Sequence, residues 1–175
     1  MLRFMTSEAI FIGGRSGAGK TSVGFEIHAQ LCAADIAHCL IDGDFLDMAH
    51  PPPWEHHLAE RNLAAMWANY RDLGFRRLVY TNTACVLPDV LDQLTTAMGG
   101  GPRVIAVLLT CTDATARERL SHREIGSTFE QHFETSKDMA ATLDSAARAH
   151  RIATGGRTVS DIAGDVLHLA GWLRP

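Results

Sequence analysis

Short unbroken apolar runs alternate along this chain with longer stretches in which apolar residues recur at helical spacing. The run AIFIG at 9–13 is continuously apolar and ends on glycines, which predicts a strand buried on both faces. A helix is expected over 19–33, where Val23, Ile27, Gln30 and Leu31 recur at mixed intervals of three and four. The run HCLI at 38–41 predicts a second strand, stopped by Asp42-Gly43-Asp44, and Pro51, Pro52 and Pro53 then break any regular element. From 54 or 55 to 73, the residues Leu58, Leu63, Met66, Tyr70 and Leu73 form a helical stripe closed by Gly74. A third strand is expected over 77–82 (RLVYTN), a helix over 88–98 and a glycine turn over 99–101. The run VIAVLL at 104–109 is the most strongly strand-like and is therefore expected at the centre of the sheet. Helices over 113–123 and 129–149, separated by a gap at Gly126, a short strand over 151–153, and a helix over 159–170 ending at Gly171 complete the pattern. The alternation predicts an α/β fold, with about five parallel strands covered by helices on both faces.

With 175 residues and 46% hydrophobic content, the chain can bury one sizeable core, so a single domain over 1–175 is expected. The formal charge is −4 and no basic run stands out, so a nucleic-acid partner is not supported; a small molecule is. The opening MLRFMTSEAIFIGG lacks the long apolar region and cleavage site of a leader, which points to a cytoplasmic protein. A monomer or homodimer is expected. No apolar stretch approaches the ~18 residues that cross a bilayer, so no membrane span is expected. Cys32, Cys39, Cys85 and Cys111 form no CxxC pair and sit in or beside apolar segments, which predicts buried reduced thiols. Beside the adjacent His56 and His57, no other His, Cys or carboxylate completes a zinc spacing.

The string GRSGAGKT at 14–21 fits G-x-x-x-x-G-K-[ST], follows a predicted strand and opens a predicted helix. Glycines let such a loop curl so that backbone N–H groups point inward, and the helix N-terminus adds partial positive charge where phosphates sit. Gly14, Ser16, Gly17, Ala18, Gly19, Lys20, Thr21 and Ser22 are accordingly expected to surround the phosphates of ATP or GTP. Lys20 is expected to reach the β- and γ-phosphates and the Thr21 hydroxyl to ligate Mg²⁺.

Three classes share such a loop: GTPase switches, mechanical ATPases and kinases. The guanine-reading Asn-Lys-x-Asp string is absent, and the third strand ends at Asn82 where a mechanical ATPase carries an acidic pair. Acids occur instead after the second strand, at Asp42 and Asp44. The C-terminal strand ends of a parallel sheet face the ligand crevice, so these carboxylates are expected near the phosphates. There a carboxylate can accept a proton from an attacking hydroxyl or hold Mg²⁺. A second signal is the segment RERLSHRE at 117–124, whose Arg119 and Arg123 share a helix face and suit a lid, around 119–128, that stabilises charge on a transferred phosphoryl group.

With these three features the chain resembles, over nearly its whole length, the P-loop small-molecule kinases related to nucleotide monophosphate kinases. The string DGDFL at 42–46 looks like the corresponding segment of gluconate kinases, and DGD also resembles adenylylsulfate kinases. Chloramphenicol phosphotransferase places a catalytic base here, which by resemblance falls on Asp44, leaving Asp42 to support Mg²⁺ or the loop. The same resemblance implies that Arg119 packs on adenine, that Arg123 reaches the phosphates, and that the loop containing Gly156 and Arg157 borders the nucleobase. Where gluconate kinases continue His-Pro-Arg-Arg, this chain has Asp47-Met48-Ala49-His50-Pro51, with no arginine to hold a carboxylate; the cation that follows DGD in adenylylsulfate kinases is missing as well. The remaining resemblance is to antibiotic kinases of the tunicamycin-resistance and capuramycin-phosphotransferase kind. It implies transfer of the γ-phosphoryl group to a hydroxyl of a small molecule such as a nucleoside antibiotic. The alternatives are a metabolic kinase of a sugar acid or adenylylsulfate, and a regulatory NTPase without an acceptor. The acceptor wall is expected from Asp42, Phe45, His50, Trp54, His56, His57, Asn62 and Asn82, with Trp67 assigned to the core.

Overall fold

Strand β1 (Glu8–Gly13) lies in the middle of the sheet, where both faces of a strand are covered. Successive side chains point to opposite faces. Ala9 and Phe11 therefore enter one core and Ile10 and Ile12 the other, and all four are fully buried. The structure, a computed structural model, describes residues 6–122 and 129–173. Strands β2 (Cys39–Asp42), β3 (Arg77–Thr81), β4 (Arg103–Thr110) and β5 (His150–Ala153) join β1 in the order β2-β3-β1-β4-β5, every pairing parallel. The strand expected at the centre, β4, is displaced one place from it. Continuous apolarity reports burial on two faces, and it does not separate the central strand from its neighbour.

Helices cover both faces, as the alternation predicts. On one side α1 (Lys20–Ala33) and α6 (Val159–Ala170) pack together through Ile27, Leu31, Ile162, Val166 and Leu167. On the other, α2 (Leu58–Asp72) and α3 (Pro88–Met98) contribute Leu63, Trp67, Leu91, Leu94 and Met98. The pair α4 (Asp113–Ser121) and α5 (Phe129–Leu143) closes over a smaller cluster of Ala116, Leu120 and Phe133. Among the described residues, no helix is long and apolar enough to cross a membrane.

Several sequence expectations shift. The helix expected from 54 or 55 is interrupted: Trp54–His56 forms a single 3-10 turn, and His57 takes a left-handed conformation (φ 49°, ψ 43°) before α2 begins. The buried stripe of α2 runs through Leu63 and Trp67, whereas Met66 and Leu73 are exposed. The helix expected to reach 149 stops at Leu143, because the chain tightens into i→i+3 turns and Arg151 of β5 donates to the Asp144 carbonyl at 2.9 Å. Cys39 and Cys85 are buried as expected, while Cys111 is half-buried and Cys32 is exposed.

Candidate active site

Between β1 and α1 the chain curls through residues 14–19, and contacts from the helices after β4 hold the curl from outside. Gly17 sits in the left-handed region (φ 84°), and a Cβ there would stand 3.0 Å from the Ala116 backbone in α4. Arg119 of α4 donates to the Gly17 carbonyl (3.1 Å), to Thr154 Oγ1 (3.0 Å) and to the Thr154 carbonyl (3.0 Å). Arg15 is only 3% exposed; its Nε donates to Ser136 Oγ of α5 (2.9 Å), and its Nη1 pairs with Asp113. Ser136 Oγ in turn donates to the Ser16 carbonyl (3.0 Å). The Ala18 amide closes the curl on the Arg15 carbonyl (3.1 Å) and the Gly14 amide bonds the Thr83 carbonyl (3.2 Å); a curl of this kind offers its remaining amides to an anion. No side chain caps α1, so its first N–H groups also face this space.

The resulting cavity, about 140 Å³, is lined by Ser16, Gly17, Gly19, Lys20, Thr21, Ser22, Asp44 and Leu120. Lys20 is buried, with Nζ donating to the Arg15 carbonyl at 3.3 Å. Strand β2 delivers the carboxylates: Asp42 lies opposite Thr81 of β3, at the sheet end from which the loop after β1 also emerges. A glycine separates the two acids because a Cβ at Gly43 would stand 2.2 Å from the Tyr80 hydroxyl oxygen. Asp42 accepts from Thr21 Oγ1 (3.4 Å) and from the Asp44 amide (3.1 Å). Asp44 accepts from Asn82 Nδ2 at 2.8 Å. Asp44 lines this cavity and remains exposed to solvent. Desolvation pushes its carboxyl above the ordinary carboxylate range and the Asp42 charge adds to this, while Lys20, Asn82 and the Thr83 backbone oppose.

A gluconokinase from Sinorhizobium meliloti 1021 superposes with a TM-score of 0.62 at 22% identity, covering 95% of each chain. The Deinococcus radiodurans tunicamycin resistance protein gives 0.68 at 18%, covering 94% of this chain and 96% of its own. Shikimate kinase from Acinetobacter baumannii in complex with shikimate gives 0.58 at 21%, covering 95% and 94%. This is the fold of the P-loop small-molecule kinases. No protein-family model and no curated protein sequence matches the chain.

On this P-loop kinase fold the sequence-expected residues divide. The loop residues Gly14 to Thr21, together with Asp42, Asp44 and Asn82, come together at one sheet end. Asn62 is turned elsewhere: its Nδ2 donates to the Leu46 carbonyl at 2.6 Å and anchors the turn after β2. Phe45 and Trp54 are 69% and 73% exposed, and His50 and His56 are exposed too. His57, left-handed in backbone, lines a separate shallow cavity with Glu60 of α2 and Asp92, Gln93 and Thr96 of α3. Arg157 is drawn to α6 by Asp165 (2.8 Å). Gly156 makes the left-handed turn beside it (φ 68°). Arg119 braces the loop against Thr154, and Arg123 lies outside the described residues, as does most of the expected lid.

Some residues were not legible as site residues. Arg15 and Ser136 buttress the loop, yet Arg15 fills an unconstrained motif position and Ser136 sits in a polar helix. A cavity of about 380 Å³ adjoins the loop at Ser16 and is walled by Thr83 after β3 and by His132, Thr135, Ser136 and Met139 of α5. Only the packing of α5 onto the loop creates it. The Thr21 hydroxyl and the Asp42 carboxylate, with the open side of the cavity, present the hard oxygen donors that suit Mg²⁺ alongside water and phosphate.

Proposed function

We propose that the protein transfers the γ-phosphoryl group of ATP or GTP to a hydroxyl of a small neutral molecule. The observation that carries this reading is the position of Asp44: a partly desolvated carboxylate in the same cavity as Lys20 and Thr21, held by Asn82 just after β3. The amides of the curl and Lys20 hold the phosphates, and Thr21 and Asp42 hold Mg²⁺, which would neutralise phosphate charge when bound. The acceptor oxygen attacks the γ-phosphorus in line, the bond to the β–γ bridging oxygen breaks, and Asp44 takes the hydroxyl proton. The products are the phosphorylated acceptor and a nucleoside diphosphate. A raised pKa suits Asp44 to this role, since a base closer to the working pH accepts a proton more readily.

The 380 Å³ cavity beside Ser16 supports an acceptor that is hydroxyl-rich and uncharged. Hydroxyl, imidazole and thioether groups line it, and among the described residues its lining holds no arginine or lysine. A sugar acid or adenylylsulfate would need such a cation. A sugar or nucleoside face does not, which favours a nucleoside-type antibiotic as acceptor, in keeping with the likeness to a tunicamycin resistance protein. The test is a transfer screen with ATP and GTP over sugars, sugar acids, nucleosides and nucleoside antibiotics, read by mass spectrometry of the acceptor. The expected result is one acceptor class gaining a phosphate in step with nucleoside diphosphate formed. Phosphate release at the same rate with and without every acceptor would instead identify a regulatory NTPase.

A further inference from the structure

The phosphate cavity occupies one end of α1 and β2, and a second cluster of chemically capable side chains occupies the other. His28 and Cys32 are four residues apart on α1, so they share one exposed face. His38, buried, sits just before β2 and faces them. His28 Nδ1 is 2.8 Å from His38 Nε2, Cys32 Sγ is 3.8 Å from His28 Nδ1, and the ligand atoms of all three residues lie within 4.8 Å of one another. The two rings meet edge to face with centroids 4.9 Å apart.

The tautomer of His38 follows from its other contact. Its Nδ1 is 2.7 Å from the Ile36 carbonyl, and a carbonyl only accepts, so Nδ1 carries the hydrogen. Nε2 is therefore left with its lone pair, aimed at His28. A backbone carbonyl behind a ligating imidazole is the arrangement that fixes the ring of a metal-bound histidine. We propose that His28, Cys32 and His38 form a zinc site, with His28 Nδ1, Cys32 Sγ and His38 Nε2 as ligands and water in the fourth position.

Zinc bonds of roughly 2.0–2.1 Å to nitrogen and 2.3 Å to sulfur, at tetrahedral angles, place two nitrogens about 3.3 Å apart and a nitrogen and sulfur about 3.6 Å apart. The nitrogen pair must open by about half an ångström and the thiol must turn inward. The exposed His28 and Cys32 have room for both movements, while His38 stays fixed by the Ile36 carbonyl. Two imidazoles and a thiolate suit zinc, whereas the hard oxygen donors at Thr21 and Asp42 suit Mg²⁺, so the two ends do not compete for one ion. On binding, the hydrogen of His28 moves through solvent from Nδ1 to Nε2, which leaves the Nδ1 lone pair for the metal, and the Cys32 thiol gives up its proton to solvent as its sulfur bonds to the ion. The ion then ties α1 to β2, whose opposite ends carry Lys20, Thr21 and Asp42.

The experiment uses untagged, chelator-treated protein titrated with Co²⁺ and then with Zn²⁺ against a chromophoric competitor, without nucleotide or acceptor. One equivalent of cobalt is expected to bind and to show a thiolate-to-cobalt charge-transfer band that zinc abolishes. Zinc is also expected to raise the melting temperature and to protect Cys32 from alkylation. Cys32→Ser should lose the band, and His28→Ala should bind zinc weaker by about tenfold or more. Both positions are exposed, so unchanged melting of the metal-free variants serves as the folding control. Absence of stoichiometric uptake by the parent, or an undiminished band in Cys32→Ser, overturns the site. Because no phosphotransfer is measured, either result leaves the reading of the phosphate cavity untouched.

Discussion

Replacing Asp44 by Asn removes a proton acceptor while keeping nearly the same shape, and the amide oxygen can still accept from Asn82 Nδ2. General-base catalysis contributes roughly 10²- to 10⁴-fold, so kcat is expected to fall by that factor, about 2.7–5.4 kcal/mol at 1.36 kcal/mol per decade. Lys20, Thr21 and the curl are untouched, so nucleotide affinity should persist. Stability supplies the control, and its sign follows from linkage. The folded pKa of Asp44 lies above its unfolded value, so within that window the native state binds more protons and stability falls as pH rises, a loss that persists above the window. Removing the carboxyl removes this penalty, so Asp44→Asn should melt no lower than the parent at neutral pH. The assay combines acceptor phosphorylation, nucleotide titration by fluorescence and a thermal melt. Transfer within tenfold of the parent would take Asp44 out of the mechanism, and a rate loss accompanied by a lower melting temperature would make the effect structural.

The remaining predictions test the surroundings of this group. Asn82→Ala removes a donor that favours the charged form of Asp44, so the acid limb of the kcat profile should move to higher pH; a limb that stays put would deny Asn82 its tuning role. Lys20→Ala should weaken nucleotide binding and turnover together, and unchanged affinity in a titration would remove the curl as the phosphate site. Ser136→Ala strands the buried Arg15 Nε, at a cost of about 1–3 kcal/mol in denaturant unfolding, and should loosen nucleotide binding because Ser136 also holds Ser16. Trp67→Ala should cost about 3–5 kcal/mol, against within about 0.5 kcal/mol for the exposed Met66→Ala. Equal effects in chemical denaturation would place the buried stripe of α2 elsewhere.

The phosphate loop was legible because its parts are local. Seven peptide units, a lysine and a hydroxyl within one turn and the start of one helix carry their function wherever the flanking strand and helix form. The order of elements was legible for the same reason, since runs such as AIFIG and VIAVLL bury two strand faces whatever their neighbours. The pair Asp42 and Asp44 was legible through a topological rule, namely that loops at the C-terminal ends of parallel strands converge.

The acceptor side was harder to read. Phe45, His50, Trp54 and His57 follow Asp44 in sequence, yet Phe45, His50 and Trp54 are exposed and His57 lines a separate cavity with α2 and α3. The cavity proposed for the acceptor is walled instead by Thr83 and by His132, Thr135 and Met139 of α5, more than eighty residues after Asp44 in the case of α5. Likewise His28 and Cys32 read as an ordinary solvated helix face until β2 brings His38 against them. The sequence alone determined what is encoded in contiguous residues: a parallel α/β sheet, a curl of the P-loop pattern and two acids at the next strand end. Tertiary structure decided which side chains face those acids, what braces the curl through Arg15, Ser136 and Arg119, and what meets at the far end of α1. Such contacts join residues distant along the chain, so they depend on helix packing that local periodicity does not specify.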